Sequence, residues 1–202
     1  MDIVTLLAAA GLGGAAGQRA VLPALLLGVF HHTPWFELHE SVAWLAAPVV
    51  LGTLVVLAIA EHIADRSESF GAMADTAARV PRWIAGFLVA AAGSGALDAD
   101  LTALMVSGLV GTSAAFVMER GHARSRAGTR ALAEGGVDLP DQGVAAAETG
   151  SVIGLTSAAL FMPWIVLAIG VVTLVFGIVA LRAGRRFQRS AARAGGLRGI
   201  DE

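Results

Sequence analysis

The stretch IVTLLAAAGLGGAAGQRAVLPALLLGVF, residues 3–30, decides how this chain is read. Only Thr5, Gln18 and Arg19 interrupt its apolar and glycine residues. About 20 apolar residues cross the hydrocarbon core of a bilayer as a helix, so the run is long enough to span. Its glycines and Pro23 make it a poor continuous helix. Two readings are open: one broken helix with Arg19 deep inside, or a re-entrant half-helix followed by a second short one. The broken helix is preferred, because the connector after Phe30 carries no arginine and reads as external. Gly14 and Gly17 then supply exposed backbone at the break.

Composition points the same way. Hydrophobic residues make up 56% of the 202 positions, charged ones 15%, and mean hydropathy is +0.72. A soluble domain carries about a quarter charged residues, and here the apolar excess falls in long runs. The class is therefore an integral membrane protein. Unbroken runs favour helices over the alternating strands of a barrel, so the fold class is an all-α polytopic bundle. The 25 glycines suit close helix packing in lipid. With no cysteine, disulfides and thiolate metal sites are excluded. All 14 basic residues are arginine and the net charge is −2, which gives no folded basic face for nucleic acid. The start of the chain lacks the charged region of a cleaved signal, so the first run is expected to stay in the membrane.

Further spans are expected at Val42–Ile63, Trp83–Ala96, Leu101–Met118, Gly143–Phe161 and Ile165–Leu181. An interfacial amphipathic helix is expected over 65–80, with Phe70, Met73 and Ala77 on one face and Pro81 stopping it. Glu119–Gln142 reads as a polar loop, with Asp141 as N-cap of the next helix. Arg66, Arg79, Arg82, Arg120, Arg124, Arg126, Arg130 and the tail alternate with connectors that have no arginine. Six spans with both termini cytoplasmic in a bacterial inner membrane satisfy the positive-inside rule. The chain then divides into a first half (1–98), a second half (99–184) and an arginine-rich tail (185–202). Three spans per half would make any duplication an inverted repeat of the kind found in transporters.

Such a duplication is suggested by Ala16-Gly-Gln-Arg-Ala20, which returns as Ala127-Gly-Thr-Arg-Ala131. Each copy is followed by Ala-x-Ala-Glu, ending at Glu61 and Glu148. Ionisable groups in lipid are expensive and usually mark a partner, a proton or a cargo. Arg19 cannot shed its proton. It holds an anionic substrate at the helix break, forms a structural pair with Glu61 or Glu148 that fixes helix register, or snorkels. Glu61, with Asp65 one turn on, and Glu148 bind a proton or cation, or cap helix ends facing water. Arg130 lies in the polar loop near headgroups. His62 points to a different face from Glu61. The group His31, His32, His39 and Glu40 matches no defined metal spacing, and no catalytic grouping is present.

Several of these features occur together in a known family. The chain resembles a bacterial membrane family described only as a domain of unknown function, number 4126. The likeness rests on Ala16-Gly17-Gln18-Arg19-Ala20 with Leu22-Pro23, and on Glu61-x-x-Ala64-Asp65-Arg66. It also rests on His122-x-x-x-Arg126-Ala127-Gly128-Thr129-Arg130 with the later Glu148. The family pattern has lysine where Arg66 stands and Pro-Gly-Val-Asp where Ser67–Phe70 stand. The resemblance implies a multi-span inner-membrane protein. Taken together, the expectation is a homo-oligomeric transporter or channel for an ion or small solute. Arg19, Glu61, Asp65, Arg130 and Glu148 would line its path, with no cofactor, no metal and no enzymatic activity. The alternative is a scaffold whose charged pairs only fix packing and whose loops bind a partner or lipid headgroups.

Overall fold

The computed structural model describes residues 2–66, 79–134 and 141–172, with side chains described at 2–64, 79–124 and 146–172. The all-α class holds: among the described residues there are helices and connectors and no strand. Contacts gather Met1–Val166 into one unit, which carries the helices α1 to α6. A second unit begins at Leu167, and of it residues 167–172 are described.

Helix α1 (Ile3–Gln18) begins at Asp2, whose Oδ1 accepts the Thr5 backbone N–H at 2.8 Å, a side-chain N-cap. It ends at Arg19, which is extended at φ −141° and ψ 118°. Helix α2 (Val21–Phe30) follows, with Pro23 in its first turn, where a missing N–H breaks no helical bond. The chain is therefore interrupted as expected, but at a different place. Gly14 and Gly17, expected at the break, lie inside α1 and are buried.

The interruption is also a reversal. Helix α6 (Asp141–Phe161) runs antiparallel to α1, because Gly11 faces Ala159 and Gln18 meets Ser151. Leu22 shares a pocket with Thr149, and Phe30 packs edge-on against Phe161 with ring centroids 5.2 Å apart. So α2 runs parallel to α6 and back along α1. The single broken span expected here is instead two antiparallel legs. A straight helix through Pro23 would drive its ring against the Arg19 carbonyl, and the chain turns at that residue.

After α2 comes a 3-10 segment (Glu40–Ala46), followed by α3 (Pro48–Arg66), bent by 61° from it. The expected second span is thus two pieces. Pro48 opens the longer one, a position where proline fits a helix start. Helix α4 (Arg79–Gly93) contains Pro81 as its third residue, a position that proline fits. Residues 67–78, most of the expected amphipathic helix, lie outside the described residues. Gly95, at φ 74°, makes the left-handed turn after α4. Helix α5 (Leu101–Glu134) is capped by Asp100, whose Oδ1 accepts the Ala103 N–H at 2.6 Å.

Helix α5 corrects the polar loop expected from Glu119 onward, since helix continues to Glu134. Alanine, arginine and glutamate in that stretch are good helix formers. Arg120 also packs its guanidinium 4.1 Å from the Phe116 ring centroid one turn back. A further apolar helix is Pro163–Val172. The rest of the expected sixth span and the arginine-rich tail lie outside the described residues. Among the described residues one helix, Leu101–Arg124, is long and apolar enough to cross a membrane alone. The bent pair Glu40–Ala46 and Pro48–Ala64 would add a second, while α1, α2 and Pro163–Val172 are apolar but shorter.

Helix α1 is the central element, packed against α4, α5 and α6. Its contact with α5 depends on absent side chains: a Cβ at Gly13 would collide with the Gly111 backbone, and one at Gly17 with the Ala115 backbone. That pairing order makes α1 and α5 parallel. The two AGxRA copies therefore sit on helices running the same way, which does not match the upside-down second copy expected of an inverted repeat. The extra leg created by the turn at Arg19 accounts for the difference. The interior is built of small residues such as Ala9, Ala15, Ala16, Ala90 and Ala115, while Val49, Val56, Ile63, Leu88 and Val117 are on the outside.

One end of the unit carries the connectors around 31–47 and 94–100, with Trp35 and Trp44 exposed. The other end carries Arg19, Glu61, Arg79, Glu119 and Glu148. The small-residue contact makes a direct prediction. Gly13→Val or Gly111→Val overpacks the α1–α5 crossing and costs about 1–3 kcal/mol or more. Gly52→Ala meets open space and is neutral or stabilising by up to about 1 kcal/mol. Thermal unfolding followed by circular dichroism checks both.

Candidate functional site: a buried guanidinium at a chain reversal

Arg19 is 4% exposed and sits where α1 hands over to α2. Its Nη1 lies 3.2 Å from His62 Nδ1 on α3. A guanidinium only donates, so His62 Nδ1 is the acceptor in this contact. Arg19 Nη2 lies 4.0 Å from Glu148 Oε2 on α6, close enough for an ion pair and too far for a hydrogen bond. The other oxygen of Glu148 is 3.6 Å from His122 Nδ1 on α5. Two other helices thus reach the cation directly, and α5 reaches it through Glu148.

The turn leaves a backbone donor to satisfy. Ala20 N–H donates to Glu61 Oε1 at 3.1 Å, so this carboxylate from α3 caps the start of α2 across 41 positions of sequence. An unsatisfied buried N–H would cost about 1–3 kcal/mol. Beside Glu148, the Ser151 hydroxyl is 2.7 Å from both Gln18 Oε1 and the Glu148 carbonyl, tying α6 to the last residue of α1. Arg19 Nε has no hydrogen-bond partner among the described residues.

A pocket of about 370 Å³ adjoins this cluster. Arg19, Glu61, His62 and Thr149 form its polar side, and Leu22, Leu25, Val55, Ala58 and Ile59 its apolar wall. A second polar cluster lies on α4 and α5, where Arg79 Nε is 3.3 Å from Glu119 Oε1 and both Glu119 and Arg82 are buried. It pins α4 to α5 at the same end of the unit.

The opposite end holds a cavity of about 400 Å³ lined by His31 and residues 33–37. The histidines there are engaged in local structure. His31 Nδ1 accepts the Leu38 N–H at 3.0 Å, His32 Nε2 lies 2.9 Å from the Ala46 carbonyl, and His39 Nε2 is 3.3 Å from Asp98. Among the described residues no group of three His, Cys, Asp or Glu side chains is placed to hold a metal.

Of the residues singled out from sequence, Arg19, Glu61 and Glu148 come together. Asp65 follows Glu61 by one turn of α3, and its side chain lies outside those described. Arg130 lies on α5, not in a loop, about 12 Å of helix rise beyond His122, and its side chain is likewise not described. His62, read as facing elsewhere, is corrected: α3 ends against the turn at Arg19, and both Glu61 and His62 reach it. His122 is the other contributor that residue type alone did not reveal.

A family model described as Domain of unknown function (DUF4126) matches residues 6–183. No curated protein and no solved structure matches the chain.

The Arg19–Glu148 pair predicts non-additive energetics. Removing one partner strands a buried charge, so Arg19→Leu or Glu148→Leu should each cost about 3 kcal/mol. The double variant should recover a large part of that loss. Glu61→Gln keeps an oxygen for the Ala20 N–H, whereas Glu61→Ala loses the cap at about 1 kcal/mol. Chemical denaturation of the purified variants reads each difference.

Proposed function

The chain belongs to the DUF4126 family, whose description carries no activity, and we propose from the site itself that it is a small integral-membrane transporter or channel for an ion or small solute. One observation carries the proposal. A buried, permanently charged Arg19 lies at a helix interruption, with Glu148 of α6 at ion-pair distance, Glu61 of α3 bound to the next backbone N–H, and a pocket opening beside it. Interrupted helices with charged groups inside lipid are the usual setting for a transported species.

The membrane setting is supported by how the residues are sorted. Alanine and glycine make up most of the interior, around a few buried leucines and valines such as Leu12, Leu27 and Val152, and many large aliphatic side chains lie on the exterior. Large exposed apolar surfaces call for a partner, and lipid is the partner that suits a bundle packed on small residues. Placing the arginine-bearing end in the cytoplasm satisfies the positive-inside rule. Trp35, Trp44 and Trp164, all exposed, then belong to the aromatic belt of the far interface. Because the chain reverses at Arg19, this orientation puts the N-terminus outside, not in the cytoplasm.

In this reading a solute reaches Arg19 while Glu61 and Glu148 exchange protons or cations with it, in a protein that assembles as a homo-oligomer. The competing reading is a scaffold in which the same contacts are structural. It is favoured by one observation, that Glu61 already has a capping task at Ala20. Flux in proteoliposomes separates the two. The transport reading predicts solute-dependent ion or proton movement that falls at least about tenfold in Glu148→Gln, the loss of one essential interaction of roughly 1.4 kcal/mol or more. Equal flux in wild type, Glu61→Gln and Glu148→Gln would remove the carboxylates from the mechanism, and no flux of any tested species would favour the scaffold.

A further inference from the structure

We infer that the pocket beside Arg19 binds an amphiphilic organic anion, a carboxylate or phosphate group carried on an apolar chain. This deepens the transport reading by naming its cargo class, and rests on that reading only for the steps after binding.

The donor inventory of Arg19 is the first ground. A guanidinium has five N–H donors. Among the described residues Arg19 makes one hydrogen bond, to His62, and one ion contact at 4.0 Å, to Glu148, while its Nε has no partner. The side chain is buried and lines the pocket. Carboxylates and phosphates accept two parallel N–H bonds from such a group.

The wall is the second ground. Leu22 and Leu25 of α2 and Val55, Ala58 and Ile59 of α3 give no polar atom beyond backbone for a hydrated inorganic ion. Val55 is 43% and Ile59 55% exposed, so the apolar side of the pocket reaches the outer surface of the molecule. A headgroup at Arg19 with its chain lying along α2 and α3 takes that chain out of water and sets it against an apolar wall.

Charge sets the coupling. An anion reaching Arg19 adds negative charge where Glu148 and Glu61 already stand. Arg19 cannot lose its proton, so a proton taken up by Glu148 strips it of a counter-charge that the anion then replaces. Among the described residues Arg19 and, from α5, His122 face Glu148. Across Arg19 stand Glu61 and His62 of α3, and at the same end of the unit Arg79, Arg82 and Glu119. Proton uptake and anion binding therefore strengthen each other, and by linkage affinity rises as pH falls, up to about tenfold per pH unit for one proton.

The test is calorimetric titration of the full chain in lipid nanodiscs, with empty nanodiscs as control. The probes are octanoate, octyl phosphate, octylammonium and acetate, across mildly acidic to mildly alkaline pH. Octanoate or octyl phosphate should bind, the tighter of the two naming the headgroup, and octanoate, which stays ionised across this range, should bind with proton uptake by the protein. Acetate should bind at least about tenfold more weakly, because it lacks the chain. Octylammonium should not bind. Arg19→Lys should weaken binding by loss of the paired donors, and Glu148→Gln should keep binding but flatten its pH dependence. Ile59→Trp, at an exposed position that leaves the fold intact, should weaken octanoate and spare acetate.

Preference for octylammonium, equal affinity for acetate and octanoate, no binding of either anion, or octanoate affinity that rises as pH rises would each overturn the inference. Because binding is read without a gradient, octanoate binding without flux would contradict transport and keep this site. Flux without octanoate binding would contradict the cargo and keep transport.

Discussion

The structure is organised around a positive charge that cannot be discharged. Carboxylates and histidines can meet burial by changing protonation state, but arginine cannot, so the fold must surround Arg19 with acceptors. It does so by bringing His62 from α3 and Glu148 from α6 to the guanidinium, and Glu61 to the backbone one residue later. The same residue ends α1, reverses the chain and stands at the floor of a pocket. Local backbone geometry, helix packing and candidate chemistry therefore meet at one position.

The packing that delivers these groups is made of small residues. Gly13 and Gly17 let α1 approach α5 at backbone contact, and Gly86 and Gly111 do the same for α4 and α5. Close approach of the backbones brings Glu148 and His122 within reach of the last turn of α1. Directional bonds such as Ser151 with Gln18 then fix the register along α6. At these crossings large aliphatic side chains, which would separate the helices, are absent, while Leu12 and Leu27 fill the core away from them.

Much of this is legible in the sequence, and for identifiable reasons. The apolar runs and glycines imply an all-helical chain packed on small residues, and the cost of burying arginine singles out Arg19. Glu61 and Glu148 stand out because each follows an AGxRA motif. The direction of the chain after Arg19 is not legible: a broken helix and a hairpin use the same glycines and proline, and which neighbour α2 packs against decides between them. The polar stretch after Met118 reads as loop because periodicity reports burial, whereas Arg120 and its neighbours continue the helix by propensity and by contact with Phe116. His62 escapes a sequence reading because adjacent residues on an isolated helix point apart by about 100°, yet a helix end abutting a turn presents both side chains to it.

Most depends on Arg19 meeting Glu148 and His62 within a lipid-embedded bundle. Dipolar-recoupling solid-state NMR in bilayers, with labelled arginine guanidinium nitrogens and labelled glutamate carboxyl carbons, measures that contact directly. Arg19 should show strong coupling to Glu148, consistent with the 4.0 Å approach of Nη2 to Oε2, and its N–H protons should exchange slowly with water. A guanidinium that shows no carboxylate coupling and exchanges freely with bulk water would contradict the account.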